Sequence, residues 1–288
     1  MRINRDKLVK IAVNGQVDHP RMKGFRVGYD GKGRMPIGTG GITYSHAIGD
    51  PCMGLAGDHV EPGISLANPS NGENHALETF ACVGNEARII NGSQKGKKGY
   101  VSGTHGGIDH TMICFDKKIL EEMDGNETIL VKAYGQGLKL LDHEDIYVMN
   151  IDPDLLEAMP IEEIDKGITF PVVTVVPAFL MGSGLGSNTM MEGDYDIMTQ
   201  DKEANEAYGL NDLHFGDFVA ILDHDNEYGP HYLKGSISVG VIVHSDSYTS
   251  GHGPGVCVIA TSKTGSIQPV VTKDANLKTY MKNLKRKG

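Results

Sequence analysis

Glycine is the feature that most restricts the fold of this sequence, because it fills 38 of the 288 positions and occurs along the whole chain. Glycine adopts positive φ without a steric penalty and lets two backbone segments approach closely. A chain with this many glycines has many positions that need one or the other. The sequence therefore predicts a fold that is rich in turns and strands.

Short strands separated by turns account for most of the predicted regular structure. The run Glu86–Ile90 precedes the turn Asn91–Gly92, which indicates a hairpin, and Tyr100–Gly103 supplies the return strand. Further strands are predicted at His110–Phe115, Thr128–Tyr134, Phe218–Leu222, Ile237–Val243 and Gly255–Ala260. Short helices are predicted where an aspartate can cap the first turn, at Asp116, Asp152 and Asp201.

These helices do not alternate with strands in the way that βαβ units require. We therefore predict a mainly β fold (a β-rich α+β fold) with antiparallel or mixed barrel-like sheets, of which a cyclophilin-like barrel is one form, and a few short helices. A boundary at Lys166–Gly167 would divide the chain into β-rich halves at residues 1–166 and 167–288. The two halves can also pack as one unit.

Charge and cysteine usage restrict the expected partners and location. The net charge is −10, and lysine and arginine occur only in short runs, so we expect no nucleic-acid partner. No apolar run approaches the length of a membrane span, so we expect no membrane partner. The four cysteines form no C-x-x-C pair and no signal peptide is apparent, which favours the cytoplasm.

Two polar clusters in the first half could carry chemistry. In Gly57–Gly63, an extended backbone would point His59 and Glu61 to one face, next to Asp58. In Thr104–His110, His105 and His110 flank a Gly-Gly turn and could converge on a ligand, because histidine binds metals and carries protons near neutral pH. The alternative is that both clusters are ordinary turns. Neither spacing matches an established zinc motif.

A glycine-rich loop follows a predicted strand at Met181. Gly182, Gly184 and Gly186 could expose backbone N–H groups that cradle the anionic part of a cofactor. The loop lacks the lysine of a P-loop and does not lead into a clear helix, so a dinucleotide fingerprint is poorly supported. The alternative is a purely structural loop.

The second half offers two further polar clusters. Asp194 and Asp196 would share a face of an extended segment and could bind a hard cation together with His214 or Asp217. His244 and Asp246 follow a strong strand, and His252 lies in the glycine-rich loop after them. No G-x-S-x-G elbow surrounds a serine there, which leaves a serine hydrolase unsupported. Solvated turns are the alternative for the aspartates.

Several of these strings together give the chain a family resemblance. It resembles the bacterial and archaeal domain-of-unknown-function family 4438 over nearly its whole length, and that resemblance implies no catalytic residues. The strings that carry it are Ala56–Gly63, Gly103–Gly107, Lys132–Gly137, Met181–Gly186, Gly193–Met198 and Val243–Asp246. The string Asp212–Phe215 is also similar to one in the metal-dependent acetamidase and formamidase family, although the acidic segment that follows it there is missing here.

These observations favour an enzyme, a hydrolase or lyase that acts on a small polar substrate, with an amide as one candidate. It would use a divalent metal or a His–carboxylate pair. The alternative is a non-catalytic homo-oligomer that binds a small molecule. The predicted catalytic residues are His59, Glu61, His105 and His244, and the predicted metal ligands are Asp58, His110, Asp194, Asp196, His214 and Asp246.

Two spatial predictions follow from this hypothesis. The polar clusters around His59 and His105 should lie close together, and the site should be shared between the two halves of the chain. Ligand pockets often form where domains meet, and buried histidines and carboxylates without partners are costly.

Overall fold

The computed structural model describes residues 1–21, 24–187, 189–282 and 284–287. The described part of the chain contains five short α-helices: α1 Asn71–Phe80, α2 Lys117–Leu120, α3 Pro153–Ala158, α4 Lys202–Ala207 and α5 Leu277–Lys282. None of these helices has both the length and the apolar character needed to cross a membrane.

Strands make up far more of the described chain than helices do. Those of the N-terminal part are β1 Ile11–Val17, β2 Arg26–Val27, β3 Gly33–Arg34, β4 Ile42–Thr43, β5 Gly63–Ala67, β6 Glu86–Ile89, β7 Lys98–His105, β8 His110–Cys114 and β9 Thr128–Ala133. Those that follow are β10 Ile146–Val148, β11 Glu163–Ile164, β12 Gly167–Val172, β13 Thr174–Val176, β14 Tyr195–Asp196, β15 Phe218–Asp225, β16 His231–Ile242, β17 Gly255–Ser262 and β18 Ile267–Val271.

Six strands close into an antiparallel barrel. The order around the barrel is β1, β9, β6, β7, β8 and β5, and β5 pairs again with β1 to complete the circle. Closure leaves no exposed sheet edge within the circle, while the short strand β4 adds to the outside of β5. Apolar side chains fill the interior, among them Leu66, Val101, Ile113, Ile129 and Val131. Burial of each such side chain stabilises the fold by about 1.5–3 kcal/mol.

A second sheet packs beside the barrel. Its order is β10, β17, β16, β15 and β13, with β14 paired to β17, and only the β13–β15 pair is parallel. β11, β12 and β18 form a smaller sheet. β17 is buried along its whole length, as expected for a central strand whose residues are nearly all apolar.

The sequence-based architecture is confirmed: the fold is mainly β, barrel-like and largely antiparallel, with a few short helices. β6 and β7 pair as predicted, with residues 90–97 between them. The Asp152 and Asp201 side chains cap α3 and α4, whereas the predicted cap Asp116 makes no side-chain hydrogen bond to α2. The proposed boundary at Lys166–Gly167 falls at the turn between β11 and β12, which pair with each other. A division into two halves and a cyclophilin-like topology both stay predictions.

Candidate metal centre

The hairpin of β7 and β8 presents two histidines to one buried carboxylate. His105 ends β7 and His110 begins β8, directly opposite each other, so both side chains lie on the same face. His105 Nδ1 lies 2.5 Å from Glu61 Oε1, and His110 Nδ1 lies 2.9 Å from Glu61 Oε2. The same carboxylate accepts hydrogen bonds from Gly40 N and from the Ser65 hydroxyl. Glu61 is therefore fixed from several sides.

These contacts determine which histidine carries the charge. Burial lowers the pKa of His110, but the carboxylates of Glu61 and Asp18 together outweigh burial and raise that pKa to about 9. Burial and the neighbouring His244 lower the pKa of His105, despite its own contact with Glu61. Burial would raise the pKa of Glu61, but His110 and His105 hold it well below its usual value. His105 is therefore the neutral imidazole of the pair, the form that binds a metal.

His59 lies in a loop whose backbone conformation is unusual for a residue with a side chain. Its φ is 52°, in the left-handed region. Its backbone N–H donates to the carbonyl of Asp246, while Val60 N donates to the Ser245 hydroxyl and Ser245 N donates back to the Val60 carbonyl. These bonds fix the His59 loop against the loop that follows β16. Strained conformations of this kind cluster at functional sites, where the surrounding structure maintains them.

His244 and two aspartates come from the second sheet. Asp194 and Asp196 flank Tyr195 in or beside β14, so their side chains lie on the same side. His244 Nε2 lies 2.7 Å from Asp194 Oδ2 and 3.5 Å from Asp196 Oδ1. Gly255 of β17 lies against this contact, and a Cβ there would overlap with both Asp194 Oδ2 and His244 Nε2. Only glycine leaves room for the two side chains.

His252 completes the group. Its Nδ1 lies 2.9 Å from Asp196 Oδ2 and 3.1 Å from His59 Nε2. We refer to the six side chains that meet here as the His–Asp cluster: His59, His105, Asp194, Asp196, His244 and His252. Within the described residues, three overlapping sets of cluster side chains each offer ligand atoms within 4.8 Å of one another.

Three of the four histidines share one hydrogen-bonding pattern. In each, Nδ1 faces an oxygen acceptor, and Nε2, which carries a lone pair when the ring is neutral, turns toward the cluster. A ligating histidine usually has this arrangement, because an acceptor on one nitrogen fixes the tautomer and the orientation of the other. The acceptors and their distances from Nδ1 are Asp58 Oδ2 for His59 (3.2 Å), Glu61 Oε1 for His105 (2.5 Å) and the Ser245 carbonyl for His244 (2.9 Å).

Two atoms at the centre of the cluster lack hydrogen bonds. His244 Nε2 and Asp194 Oδ2 are buried 2.7 Å apart, and outside the ion pairs within the cluster neither has a hydrogen-bond partner among the described residues. Burial alone would lower the pKa of His244, but the carboxylates of Asp194 and Asp196 outweigh it and hold that pKa well above its usual value. Burial would raise the pKa of Asp196, but His244, His252 and His59 hold it well below. Imidazole nitrogens and carboxylate oxygens in this arrangement fit a divalent transition metal.

The cluster opens onto a cavity of about 1010 Å³. His59, His105, Asp194, Asp196 and His252 line one side of it, whereas His244 is fully buried behind them. The other lining residues are a mixture of apolar side chains, among them Ile37, Ile42, Leu55, Ile108 and Leu185, and polar ones that include Arg21 and Arg26. A small molecule that entered this cavity would reach the cluster from its exposed side.

The predicted glycine loop forms part of this cavity wall. Gly184 and Gly186 line the cavity, and a Cβ on Gly184 would meet nothing within 4 Å. Gly186 packs against the backbone of Gly107 in the β7–β8 turn, and Gly182 packs against the carbonyl of Gly251. Two of the three predicted cofactor-binding glycines therefore allow close backbone packing. A cofactor-binding role for the loop stays a prediction.

The structure brings most of the predicted site residues together. His59 and His105 lie close, as predicted, with ring centroids 5.6 Å apart. Residues from both sides of the predicted boundary meet in the cluster. Asp58, Glu61 and His110 surround the cluster and contact its histidines or each other, so their geometry suits positioning rather than ligation.

Two predicted metal ligands lie away from the cluster. His214 is between the buried side chains of Leu213 and Phe215, so its own side chain points to the opposite side, where Nδ1 lies 3.6 Å from Asp217 Oδ2. The Asp246 carboxylate accepts a hydrogen bond from Gly54 N, and burial raises its pKa. Neither residue belongs to a set of metal donors within the described chain.

His252 is the site residue that the predicted ligand set lacks. In the sequence it has only glycine and proline as close neighbours, and no carboxylate lies within five positions of it. Its partners His59 and Asp196 are 193 and 56 positions away. The single available signal was its place in a glycine-rich loop directly after a strong strand.

Comparisons with known proteins match this chain over nearly its full length. The family model described as "Domain of unknown function (DUF4438), N-terminal" matches residues 25–157, and the corresponding C-terminal model matches residues 158–281. The crystal structure of TM1086 shares 45% sequence identity, covers 97% of this chain and 99% of its own, and has a TM-score of 0.93. A search of curated proteins found no match, and similarity to acetamidase and formamidase is not shown. The chain belongs to the DUF4438 family.

Proposed function

We propose that this protein is a metal-dependent hydrolase that cleaves a small polar substrate at a carbonyl group, such as an amide. The observation that carries the proposal is the shared pattern of His59, His105 and His244. Each has an acceptor on Nδ1 and presents Nε2 to the same small volume, next to the buried Asp194 carboxylate. Histidines that only stabilise a core have no reason to converge in this way.

His244 belongs to two sets of donors, one with His59 and His105 and the other with Asp194 and Asp196. His105, His244 and Asp194 are at most 6% exposed, so an ion bound beside them would be shielded from bulk water on their side. Three protein ligands with an open position are typical of catalytic metal sites. A bound divalent ion supplies a water of lowered pKa and polarises a substrate carbonyl.

The residues that line the cavity suit a small organic substrate. The apolar ones would hold the carbon skeleton, while Arg26 lies 3.8 Å from the Asp58 carboxylate and extends the polar side of the cavity. A volume of about 1010 Å³ is at the upper end of ordinary ligand pockets, which span about 300–1,000 Å³. We expect a substrate with both an apolar part and a hydrolysable carbonyl.

The experiment is a hydrolysis screen of small amides and esters with three preparations of the protein. One is chelated, one is reconstituted with Zn²⁺ or Mn²⁺, and one is a reconstituted His105→Ala variant. We expect turnover only in the reconstituted wild-type protein, with His214→Ala as the control because His214 lies outside the cluster. Turnover that survives chelation would instead favour general base catalysis by a His–carboxylate pair, and formation of an unsaturated product would identify a lyase.

A second candidate is a non-catalytic protein that binds a small molecule. The size of the cavity and the apolar side chains in its wall favour this function independently of any reaction. In the same screen, a ligand that raises the melting temperature without being consumed would support it. Assembly into a homo-oligomer and a location in the cytoplasm stay predictions.

A further inference from the structure

The His–Asp cluster contains more ligand atoms than one cation needs. His244, Asp194 and Asp196 form one set of donors, and the His105 ring lies beside His244 with centroids 4.2 Å apart. His59, His252 and Asp196 form another set within 4.8 Å of one another, which shares only Asp196 with the first. Because Nδ1 of His59 faces Asp58, its Nε2 alone is free to ligate, and that atom lies 3.1 Å from His252 Nδ1.

Asp196 lies between the two sets. Its Oδ1 is 3.5 Å from His244 Nε2, whereas its Oδ2 is 2.9 Å from His252 Nδ1 and 3.7 Å from His59 Nε2. The two oxygens of one carboxylate therefore face different histidines. A carboxylate in this position can bridge two cations, because each oxygen has its own lone pairs.

Buried negative charge is concentrated at the cluster. Four buried carboxylates lie in or around it: Asp58, Glu61, Asp194 and Asp196. Glu61 contacts His110, and Asp58 lies 3.8 Å from Arg26. The side chains of Asp194 and Asp196 instead contact histidines of the cluster. Buried carboxylates are costly unless they are paired, and cations bound at both sets of donors would pair these two.

We propose that the His–Asp cluster binds two divalent cations, one at His105, His244 and Asp194 and the other at His59 and His252, with the Asp196 carboxylate bridging them. This inference rests on the proposed function, which requires only the first ion. His252 lines the cavity and its side chain is 31% exposed, so the second ion would be the one closer to a bound substrate. Paired ions about 3.5–4 Å apart are common in hydrolytic enzymes.

The test is a calorimetric titration of the chelated, dialysed full-length protein with Zn²⁺, repeated with Mn²⁺. We expect two equivalents in the wild-type protein and one in His252→Ala, while the control His214→Ala keeps two. His252→Gln, which retains a polar side chain near Asp196, should also bind one. Circular dichroism confirms that each variant is folded.

The outcomes separate the two proposals. A wild-type protein that binds one equivalent, or a His252→Ala variant that keeps two, overturns the dinuclear site and leaves the hydrolase proposal intact. If the wild-type protein binds neither ion, both proposals fail. Two results support the dinuclear arrangement. The stoichiometry falls from two to one in His252→Ala, and His105→Ala loses the ion at His244 and Asp194.

Discussion

Glu61 shows how a single side chain can organise the site without touching a substrate. It is fully buried, and its two oxygens receive contacts from His105, His110, Gly40 and Ser65. All of these partners donate hydrogen to the carboxylate. An ionised carboxylate suits this environment because it is purely an acceptor.

Replacement of this carboxylate by an amide should weaken metal binding. In Glu61→Gln the amide N–H group would face the N–H and O–H donors that now contact the carboxylate. The side chain would then no longer fix the orientation of His105. We expect the affinity for Zn²⁺ to fall by about 10- to 100-fold, the usual effect of losing such a partner of a ligand. Competition with a chromophoric chelator measures it. An affinity equal to that of the wild-type protein would show that Glu61 does not orient His105.

Glu78 gives a residue-scale prediction about pH. Burial and the nearby carboxylates of Asp109 and Glu192 raise its pKa from 4.5 to about 8. The folded protein therefore retains a proton that the unfolded chain loses above about pH 4.5. The stability associated with that proton is complete below pH 4.5 and is lost as the pH rises toward 8. The slope is at most about 1.4 kcal/mol per pH unit, and partial solvation reduces it.

Glu78→Gln removes this titration, so its stability relative to the wild-type protein should increase between pH 5.5 and pH 8. Urea-induced unfolding at both pH values, with a chelator present, measures the free energy of unfolding. Glu73→Gln, at an exposed position on the same helix, is the control for the loss of a carboxylate. If the difference between Glu78→Gln and the wild-type protein is the same at both pH values, Glu78 is not protonated in the folded protein.

At the scale of elements, the β7–β8 turn and the loop at residues 183–187 hold the aspartates in place. Gly106 N donates to Asp194 Oδ1 at 2.8 Å. A Cβ on Gly106 would overlap with the Leu185 carbonyl, and it would also lie 3.1 Å from Gly193 Cα. The turn and the loop can approach this closely only because glycine occupies the contact.

Gly106→Ala should separate the turn from the loop and weaken the bond to Asp194. We expect a loss of about 1–3 kcal/mol in stability from the steric overlap, together with weaker Zn²⁺ binding. Gly184→Ala is the matched control, because a Cβ there meets nothing within 4 Å, and its stability should change by less than about 0.5 kcal/mol. Thermal unfolding and Zn²⁺ titration measure both. If Gly106→Ala and Gly184→Ala had the same stability and the same Zn²⁺ affinity, Gly106 would not be needed for close packing of the turn and the loop.

Local signals in the sequence identified some elements and missed others. The β6–β7 pairing was predictable from Asn91-Gly92, which lies in the loop between the strands, and α3 and α4 were predictable from their capping aspartates. The longest described helix, α1, was missed because its first half contains Gly72 and two asparagines, which are poor helix formers. It forms where Leu77 packs against Gly15 of the barrel, a contact that local sequence does not contain.

At the scale of the whole molecule, the site lies where the barrel hairpin meets the second sheet. Thr104 of β7 donates to the Gly193 carbonyl, and Val243 packs against Gly103. Clustering of polar residues among glycines was enough to predict that His59 and His105 meet. It could not distinguish His214 from His252, because only the packing of Leu213 and Phe215 turns His214 away. Contacts between residues that are far apart in the sequence therefore determine which histidines belong to the site.

The central claim is that the His–Asp cluster is a metal centre, and anomalous X-ray scattering at the zinc absorption edge tests it most directly. Crystals of the wild-type protein would be grown with Zn²⁺ and compared with crystals of His105→Ala grown in the same way. We predict an anomalous peak about 2.0–2.1 Å from Nε2 of His105 and His244, beside Asp194, that is lost in the variant. Anomalous peaks confined to surface residues, with none at the cluster, would contradict the account.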